Sequence, residues 1–325
     1  MTPGRYAGAA VLVTGAQGFI GAWLARRLLD EGASVVVPRR AAHADSQYNA
    51  DGLDERCEQA DLDILDRDAV AALLAERGVE VVFHLAAQST VEVAYRDPAG
   101  TFDVNVRGTW TLLDACRGLP APPRVVVASS YLAYGGSDDG PAGIESELRA
   151  VYPYDVSKLC ADAIARSYAL TYGLPVAVLR LANVYGGGDF NFTRLVPQTA
   201  RALVRGERPV LRSDGTPERD FLYVEDAVDA YLAVAGSLAD AQLRGHAWNA
   251  GAGEPVAVLD VVRRLAAAAG SDLEPVIEGR GTPPGEVVRQ AVDAAALRDE
   301  LGWRPRYELD EGLALTYEWY RRRLG

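Results

Sequence analysis

The sequence predicts an α/β protein built on a doubly wound parallel sheet, with a smaller C-terminal α/β region, and three observations carry that expectation. Short apolar runs alternate with amphipathic segments through the first 182 residues. The first run ends in a turn of three glycines that opens a helix, and beyond residue 183 the alternation loosens into shorter strands among helices. At 325 residues and 49% hydrophobic content the chain supports one large or two smaller domains. The expected division is 1–182 and 183–325, with some strands and helices of the second part returning to the first.

Composition excludes several partners. With 33 basic and 45 acidic residues the net charge is −12, which disfavours nucleic acid and anionic membrane. No apolar stretch approaches the roughly 20 residues of a membrane span, and the N-terminus lacks the basic-then-apolar order of a signal peptide, so a cytoplasmic protein is expected. Cys57, Cys116 and Cys160 are widely spaced within periodic segments and read as buried thiols, not as a disulfide framework or metal site.

The first strand, from Val11, closes in Thr14-Gly15-Ala16-Gln17-Gly18-Phe19-Ile20-Gly21. Gly15 permits a sharp turn, Gly18 admits backbone N–H groups to a pyrophosphate, and Gly21 lets the helix Phe19 to Asp30 pack on the strand. The helix N-terminus then faces an anion, which makes this the expected cofactor turn. Ser34 to Val37 is the second strand, ending at Pro38-Arg39-Arg40. An acidic residue there binds the 2′-hydroxyl of NAD and arginine accepts a 2′-phosphate, so Arg39 and Arg40 incline towards NADP unless they are solvated surface charges. A weakly marked third strand ends at Asp61-Leu62, placed to meet the adenine edge.

Val81 to Gln88 is a buried strand whose tip, Leu85, Ala86 and Ala87, faces the cofactor. His84, inside this apolar run, reads as a hydrogen-bonded core imidazole. A helix is expected from Thr101 to Arg117, carrying Asn105. Arg124 to Ala128 is the fifth strand and delivers Ser129, Ser130 and Tyr131. The helix opened by Tyr152-Pro153-Tyr154 runs to about Tyr172 and sets Tyr154 and Lys158 four apart on one face. There the lysine ammonium can lower the phenol pKa and hold a nicotinamide ribose, the tyrosinate can accept a hydroxyl proton as hydride leaves, and Ser130 can hydrogen-bond the reacting oxygen. Spacing alone also permits an ordinary surface Tyr/Lys pair. Pro175 to Leu181 is the sixth strand. Pro209 to Leu211, His246 to Ala250 and Pro275 to Glu278 are short strands of a capping region, where Arg212, Arg219 and Arg289 read singly as surface charges and as a converging set could pair with phosphates.

These motifs together resemble the extended short-chain dehydrogenase/reductases that modify nucleotide sugars. The carriers are the glycine turn, His84-Leu85-Ala86-Ala87-Gln88, Ser130, the Tyr154/Lys158 pair, Asn183-Val184-Tyr185-Gly186, Arg219-Asp220-Phe221 and Leu301-Gly302-Trp303. The resemblance implies a Rossmann domain holding NAD(P), a region binding a nucleoside diphosphate sugar, and transient oxidation at the sugar C4. It makes Tyr154 the base, Lys158 its activator and Ser130 the hydroxyl orienter. Cofactor contacts are then expected from Gly15, Gln17, Gly18, Phe19, Ile20, Gly21, Arg39, Arg40, Asp61, Leu62, Leu85, Ala86, Ala87, Asn105, Ser129, Tyr154 and Lys158. Substrate contacts are expected from Gln88, Ser130, Tyr131, Asn183, Arg194, Leu195, Val196, Arg212, Arg219 and Arg289, with Asn183 and Arg219 on the diphosphate side. The resemblance also implies a homodimer paired through the helices Thr101 to Arg117 and Tyr154 to Tyr172.

Gly186 to Phe192 and Arg212 to Gly215 look most like the branch containing CDP-glucose 4,6-dehydratase. A 4,6-dehydratase carries an Asp followed by Glu or Lys directly after the Ser/Thr, and here those positions are Tyr131 and Leu132. Leucine transfers no proton, and a tyrosine with a pKa near 10 is a poor acid at neutral pH. An epimerase returning hydride to the other face of a 4-keto sugar needs neither group, so an NDP-hexose epimerase is the expected activity. A dehydratase with rearranged acid and base and an NADPH-dependent 4-keto-sugar reductase are the alternatives. A cofactor sensor without turnover would have no need of Ser130, Tyr154 and Lys158.

Overall fold

The computed structural model describes residues 5–39, 46–135, 140–279 and 288–325; Arg40 lies outside the described residues. The strands are β1 (Ala10–Thr14), β2 (Ser34–Arg39), β3 (Glu58–Asp61), β4 (Val81–His84), β5 (Arg124–Ser130), β6 (Val176–Leu181) and β7 (Asn183–Tyr185). They continue with β8 (Val210–Leu211), β9 (Glu218–Tyr223), β10 (Ala247–Ala250), β11 (Pro255–Ala257), β12 (Val276–Ile277) and β13 (Arg289–Gln290).

Seven strands form one parallel sheet in the order β10-β6-β5-β4-β1-β2-β3. Val11 and Val13 of β1 enter one core and Leu12 the other, and Val126 of β5 opposes Val125 and Val127 in the same way. Both faces are covered by helices, so residues of both parities are apolar and the strands read as unbroken runs. Strand order reverses between β1 and β4, which opens a crevice at their carboxyl ends.

A smaller sheet is centred on β9, which pairs with β7 and β13 in parallel and β11 antiparallel, while β8 and β12 form a separate pair. Sequence reading missed β7, β9, β11 and β13: β7, β11 and β13 have only two or three residues, and the six-residue β9 opens on the charged run Glu218-Arg219-Asp220. The expected strand His246 to Ala250 is not part of the cap. As β10 it is fully buried and extends the main sheet beside β6, with Asn249 accepting a hydrogen bond from the Tyr134 hydroxyl at 2.8 Å.

The helix expected at Thr101 to Arg117 is also corrected. It begins at Pro98, passes through a π-helical turn at Asp103–Arg107 and resumes at Gly108–Arg117. The wide turn holds buried Asn105, whose amide bridges Gln88 and Ser157. The helix Pro153–Tyr172 starts with proline at its first position and stops at Gly173, whose φ is +70°, the expected punctuation of a helix. Cys57 and Cys116 are buried as expected, but Cys160 is only half-buried. No described helix is long and apolar enough to cross a membrane.

Candidate active site

A cleft of about 1410 Å³ runs along the carboxyl ends of the main sheet and on beneath β8 and β9. It exceeds the roughly 300–1,000 Å³ of a single small-ligand site, leaving room for two ligands end to end. Gly15, at φ +75°, lies so close to the β4 tip that an added Cβ would meet the Ala86 nitrogen at 2.7 Å. A Cβ on Gly21 would lie 2.2 Å from the Gly15 carbonyl oxygen. The helix Phe19–Asp30 has Gly18 at its N-cap and no side-chain cap, so its first N–H groups are left for an anion. Gln17, Phe19, Ile20, Leu85, Ala86 and Ala87 line this part of the cleft, as does Ser129, whose buried Oγ has no partner among the described residues. A glycine cradle, free helix amides and an unmet hydroxyl fit a dinucleotide.

At the far end the wall is made by Pro38 and Leu62. Arg39 and Asp61, expected there, are exposed at the paired ends of β2 and β3 and do not line the cleft, because the strands end with those side chains turned to solvent.

Ser130, Tyr154 and Lys158 all line the cleft. Ser130 is the last residue of β5 and its Oγ accepts from the Leu132 N–H at 3.2 Å. Lys158 donates to the Ala128 carbonyl at 3.0 Å, and burial pushes its pKa down to about 8. Burial pushes Tyr154 up to about 12, against a lowering by Arg194 and with a further raising by Asp155. The Lys158 ammonium is turned onto the β5 backbone, and burial dominates the phenol. His84 is the core imidazole expected, flanked by Thr14 Oγ1 at 2.9 Å and Thr109 Oγ1 at 3.2 Å, and burial pushes it down to about 3.

On the opposite wall the Tyr131 hydroxyl donates to Asn183 Oδ1 at 2.9 Å, and Asn183 Nδ2 donates to the Asp220 carbonyl at 3.2 Å. Asn183 thus lines the cleft with its amide already committed. Burial pushes the Tyr131 phenol well up, so it stays protonated. Arg194 pairs with Asp189 at 2.9 Å, Arg212 donates to the Thr193 carbonyl at 2.7 Å, and Arg219 lines the same wall. Leu195 and Val196 begin the helix Leu195–Val204, presenting another N-terminus to the cleft.

Three further expected residues lie off the wall. Gln88 spends its amide on the Thr90 backbone and the Thr101 hydroxyl. Asn105 stands behind it, holding its backbone from both sides at 2.7 and 3.0 Å. Arg289 lies on β13 and pairs with Glu218 at 3.1 Å. Sequence reading missed the wall Ser89 to Val93, Asp189 and Tyr231. Asp189 was signalled by its glycine-rich loop, whereas Tyr231 sits inside an ordinary apolar helix and carried no signal.

A dinucleotide-type glycine turn on this parallel sheet, with a serine, tyrosine and lysine at the strand tips, defines an extended short-chain dehydrogenase/reductase. Residues 11–251 match the model of the NAD dependent epimerase/dehydratase family. A UDP-glucose 4-epimerase from Mycolicibacterium smegmatis is 33% identical over 316 residues, covering 95% of this chain and 98% of that protein. Among solved structures, a UDP-glucose 4-epimerase from Thermotoga maritima with UDP-glucose superposes with a TM-score of 0.87 at 28% identity, covering 97% of this chain and all of the other. A dTDP-glucose 4,6-dehydratase from Streptomyces venezuelae with NAD bound gives 0.85 at 30%, covering 96% and 97%. The chain belongs to the NAD dependent epimerase/dehydratase family.

Proposed function

We propose that this enzyme is an NAD(P)-dependent NDP-hexose epimerase working through a transient 4-keto sugar. The observation that carries the choice within the family is the chemistry of the cleft wall beside Ser130. Position 131 is a tyrosine locked to Asn183 and position 132 a leucine, so the acid/base pair for elimination is missing there. Among the described residues the carboxylates that line the cleft, Glu92 and Asp189, are each paired with an arginine, Arg96 and Arg194.

NAD(P) supplies the acceptor and later the donor of a hydride. Its diphosphate suits the N-terminus of the helix Phe19–Asp30, and Lys158, one turn from Tyr154, holds the ribose side of the site. Ser130 orients the sugar hydroxyl and Tyr154, in its phenolate form, takes its proton, then returns it to the same oxygen after the sugar has turned over. The substrate diphosphate suits the N-terminus of the helix Leu195–Val204 together with Arg212 and Arg219. Three free cysteines fit a reducing, cytoplasmic setting. The exposed apolar residues Trp110, Leu170 and Tyr172, on the two helices expected to pair, fit a homodimer.

The test is incubation with UDP-, CDP-, GDP- and dTDP-hexoses in deuterated water, followed by NMR and mass spectrometry. The expected product is a C4 stereoisomer of unchanged mass without solvent deuterium. Loss of water with deuterium incorporation would overturn epimerisation in favour of elimination. Tyr154→Phe is expected to lose turnover by roughly 10²–10⁴-fold while binding cofactor as before.

A further inference from the structure

Ser130 and Tyr131, consecutive at the tip of β5, have their hydrogen-bonding roles fixed by neighbours, and fixed in opposite senses. Asp220 of β9 is anchored by its carboxylate, which accepts from the backbone N–H groups of Ala252, Gly253 and Val292 at 2.9, 3.2 and 3.3 Å. The parallel ladder of β7 on β9 sets Asn183 opposite Phe221, and its amide reaches the Asp220 carbonyl at 3.2 Å. A carbonyl only accepts, which commits Asn183 Nδ2 to that side and turns Oδ1 towards Tyr131. Oδ1 in turn only accepts, so the Tyr131 hydroxyl spends its single proton there, at 2.9 Å. No other hydrogen bond reaches the Tyr131 oxygen among the described residues, and that oxygen keeps its accepting capacity. Ser130 is the reverse case. Its Oγ accepts from the Leu132 N–H at 3.2 Å, and its proton is left to donate.

We propose that Tyr131 is a specificity-determining residue, whose oxygen accepts a hydrogen bond from a sugar hydroxyl flanking C4 while Ser130 donates to the reacting oxygen. The proposal rests on the reading that Ser130 meets the C4 oxygen of a nucleotide sugar. Ser130, Tyr131 and Asn183 all line the cleft. The two roles cannot be exchanged. The C4 oxygen is a hydroxyl at first and a ketone in mid-reaction, so only a donor such as Ser130 can hold it throughout. An oxygen that offers lone pairs alone has nothing to give a ketone, and suits a hydroxyl that keeps its proton.

The hydroxyls that flank C4 on a hexopyranose are those of C3 and C6, since C5 carries the ring oxygen. A sugar with a deoxy carbon, a fluorine or a carboxylate at the position facing Tyr131 has no proton to donate. It leaves the phenol oxygen unmet or sets lone pairs against lone pairs, and a site built to bond a hydroxyl rejects an analogue that lacks it. The selectivity originates in β9, because the Asp220 carbonyl orients the Asn183 amide and the amide takes the Tyr131 proton.

The experiment is equilibrium binding by calorimetry in a Tyr154→Phe background loaded with NAD⁺, so that no turnover enters. The ligands are glucose, 3-deoxy-3-fluoroglucose and 6-deoxy-6-fluoroglucose, each carried on whichever of UDP, CDP, GDP and dTDP binds the protein. Fluorine stands in for the hydroxyl at nearly its size but has no proton to donate. One of the two fluoro sugars is expected to bind about tenfold more weakly than the glucose compound, and adding Tyr131→Phe to bring that ratio to about one. A purely structural strap from Tyr131 to Asn183 would weaken all three ligands alike and leave the ratio in place. Equal affinities for the three sugars with Tyr131 present, or a fluorine penalty that survives Tyr131→Phe, would overturn the proposal. Whether the bound sugar is afterwards epimerised or dehydrated does not enter, so this result stands or falls separately from the sugar panel that tests the reaction.

Discussion

Lys158 is a buried cation, 7% exposed, that depends on a single carbonyl oxygen. Its folded pKa of about 8 lies below the ordinary 10.5, so between those values the unfolded chain binds more protons. Stability is therefore lost as pH falls from about 10.5 to about 8, and the deficit persists at neutral pH. Lys158→Met is expected to stabilise the protein at pH 7 by on the order of 2 kcal/mol while abolishing turnover. Melting curves at pH 7 and pH 10 check this, and a gain of the same size at both would refute burial as the cause. His84 obeys the same sign in another window, with its share of stability lost as pH falls from about 6.5 towards 3. Its neighbours also fix its tautomer. Thr109 donates to the Asn105 carbonyl at 2.6 Å and so accepts from Nε2–H, leaving Nδ1 to accept from Thr14. Placing His84 in the core was possible from the apolar run around it. The turning away of Gln88 was not, because it depends on Asn105 arriving from a helix seventeen residues on.

The helix Pro153–Tyr172 is fixed to the sheet by a pair that sits inside an otherwise apolar strand. Arg180 of β6 meets Asp162 in two bonds, at 2.7 and 3.1 Å, both side chains being almost fully buried. Arg180 also donates to the Tyr134 hydroxyl at 2.7 Å, and Tyr134 donates on to Asn249 of β10. One polar chain thus joins the helix, β6, β10 and the turn after β5, all of which frame Ser130, Tyr154 and Lys158. Arg180→Met is expected to cost about 3–5 kcal/mol because it strands a buried carboxylate, and Arg180→Met with Asp162→Leu to recover most of that loss. Urea unfolding of the two variants measures both, and a single variant as stable as the parent would show that the pair is dispensable. Sequence reading singled out neither residue: Arg180 lies within a strand taken as a whole, and Asp162 reads as one more polar helix position.

Across the whole molecule the two helices Gly108–Arg117 and Pro153–Tyr172 leave large apolar side chains outside, Trp110 at 41% exposure and Leu170 at 74%. Trp110→Glu is expected to convert the proposed dimer to monomer in light scattering, with the melting temperature of the separated chain lowered. A parent protein that already scatters as a monomer would refute the interface.

The glycine turn, the central strands β1, β2, β4, β5 and β6 and the serine, tyrosine and lysine were determined by the sequence alone, because each depends on neighbours within a few residues: a strand period, a helix spacing, a left-handed glycine. The tertiary structure alone decided which polar groups reach the cleft. Asn183 is committed to Tyr131, Arg289 is drawn to Glu218, Asn105 and Gln88 brace each other, and β10 leaves the cap for the main sheet. Each of those outcomes is a competition among groups far apart in the chain, settled by which partner packing brings within hydrogen-bond reach.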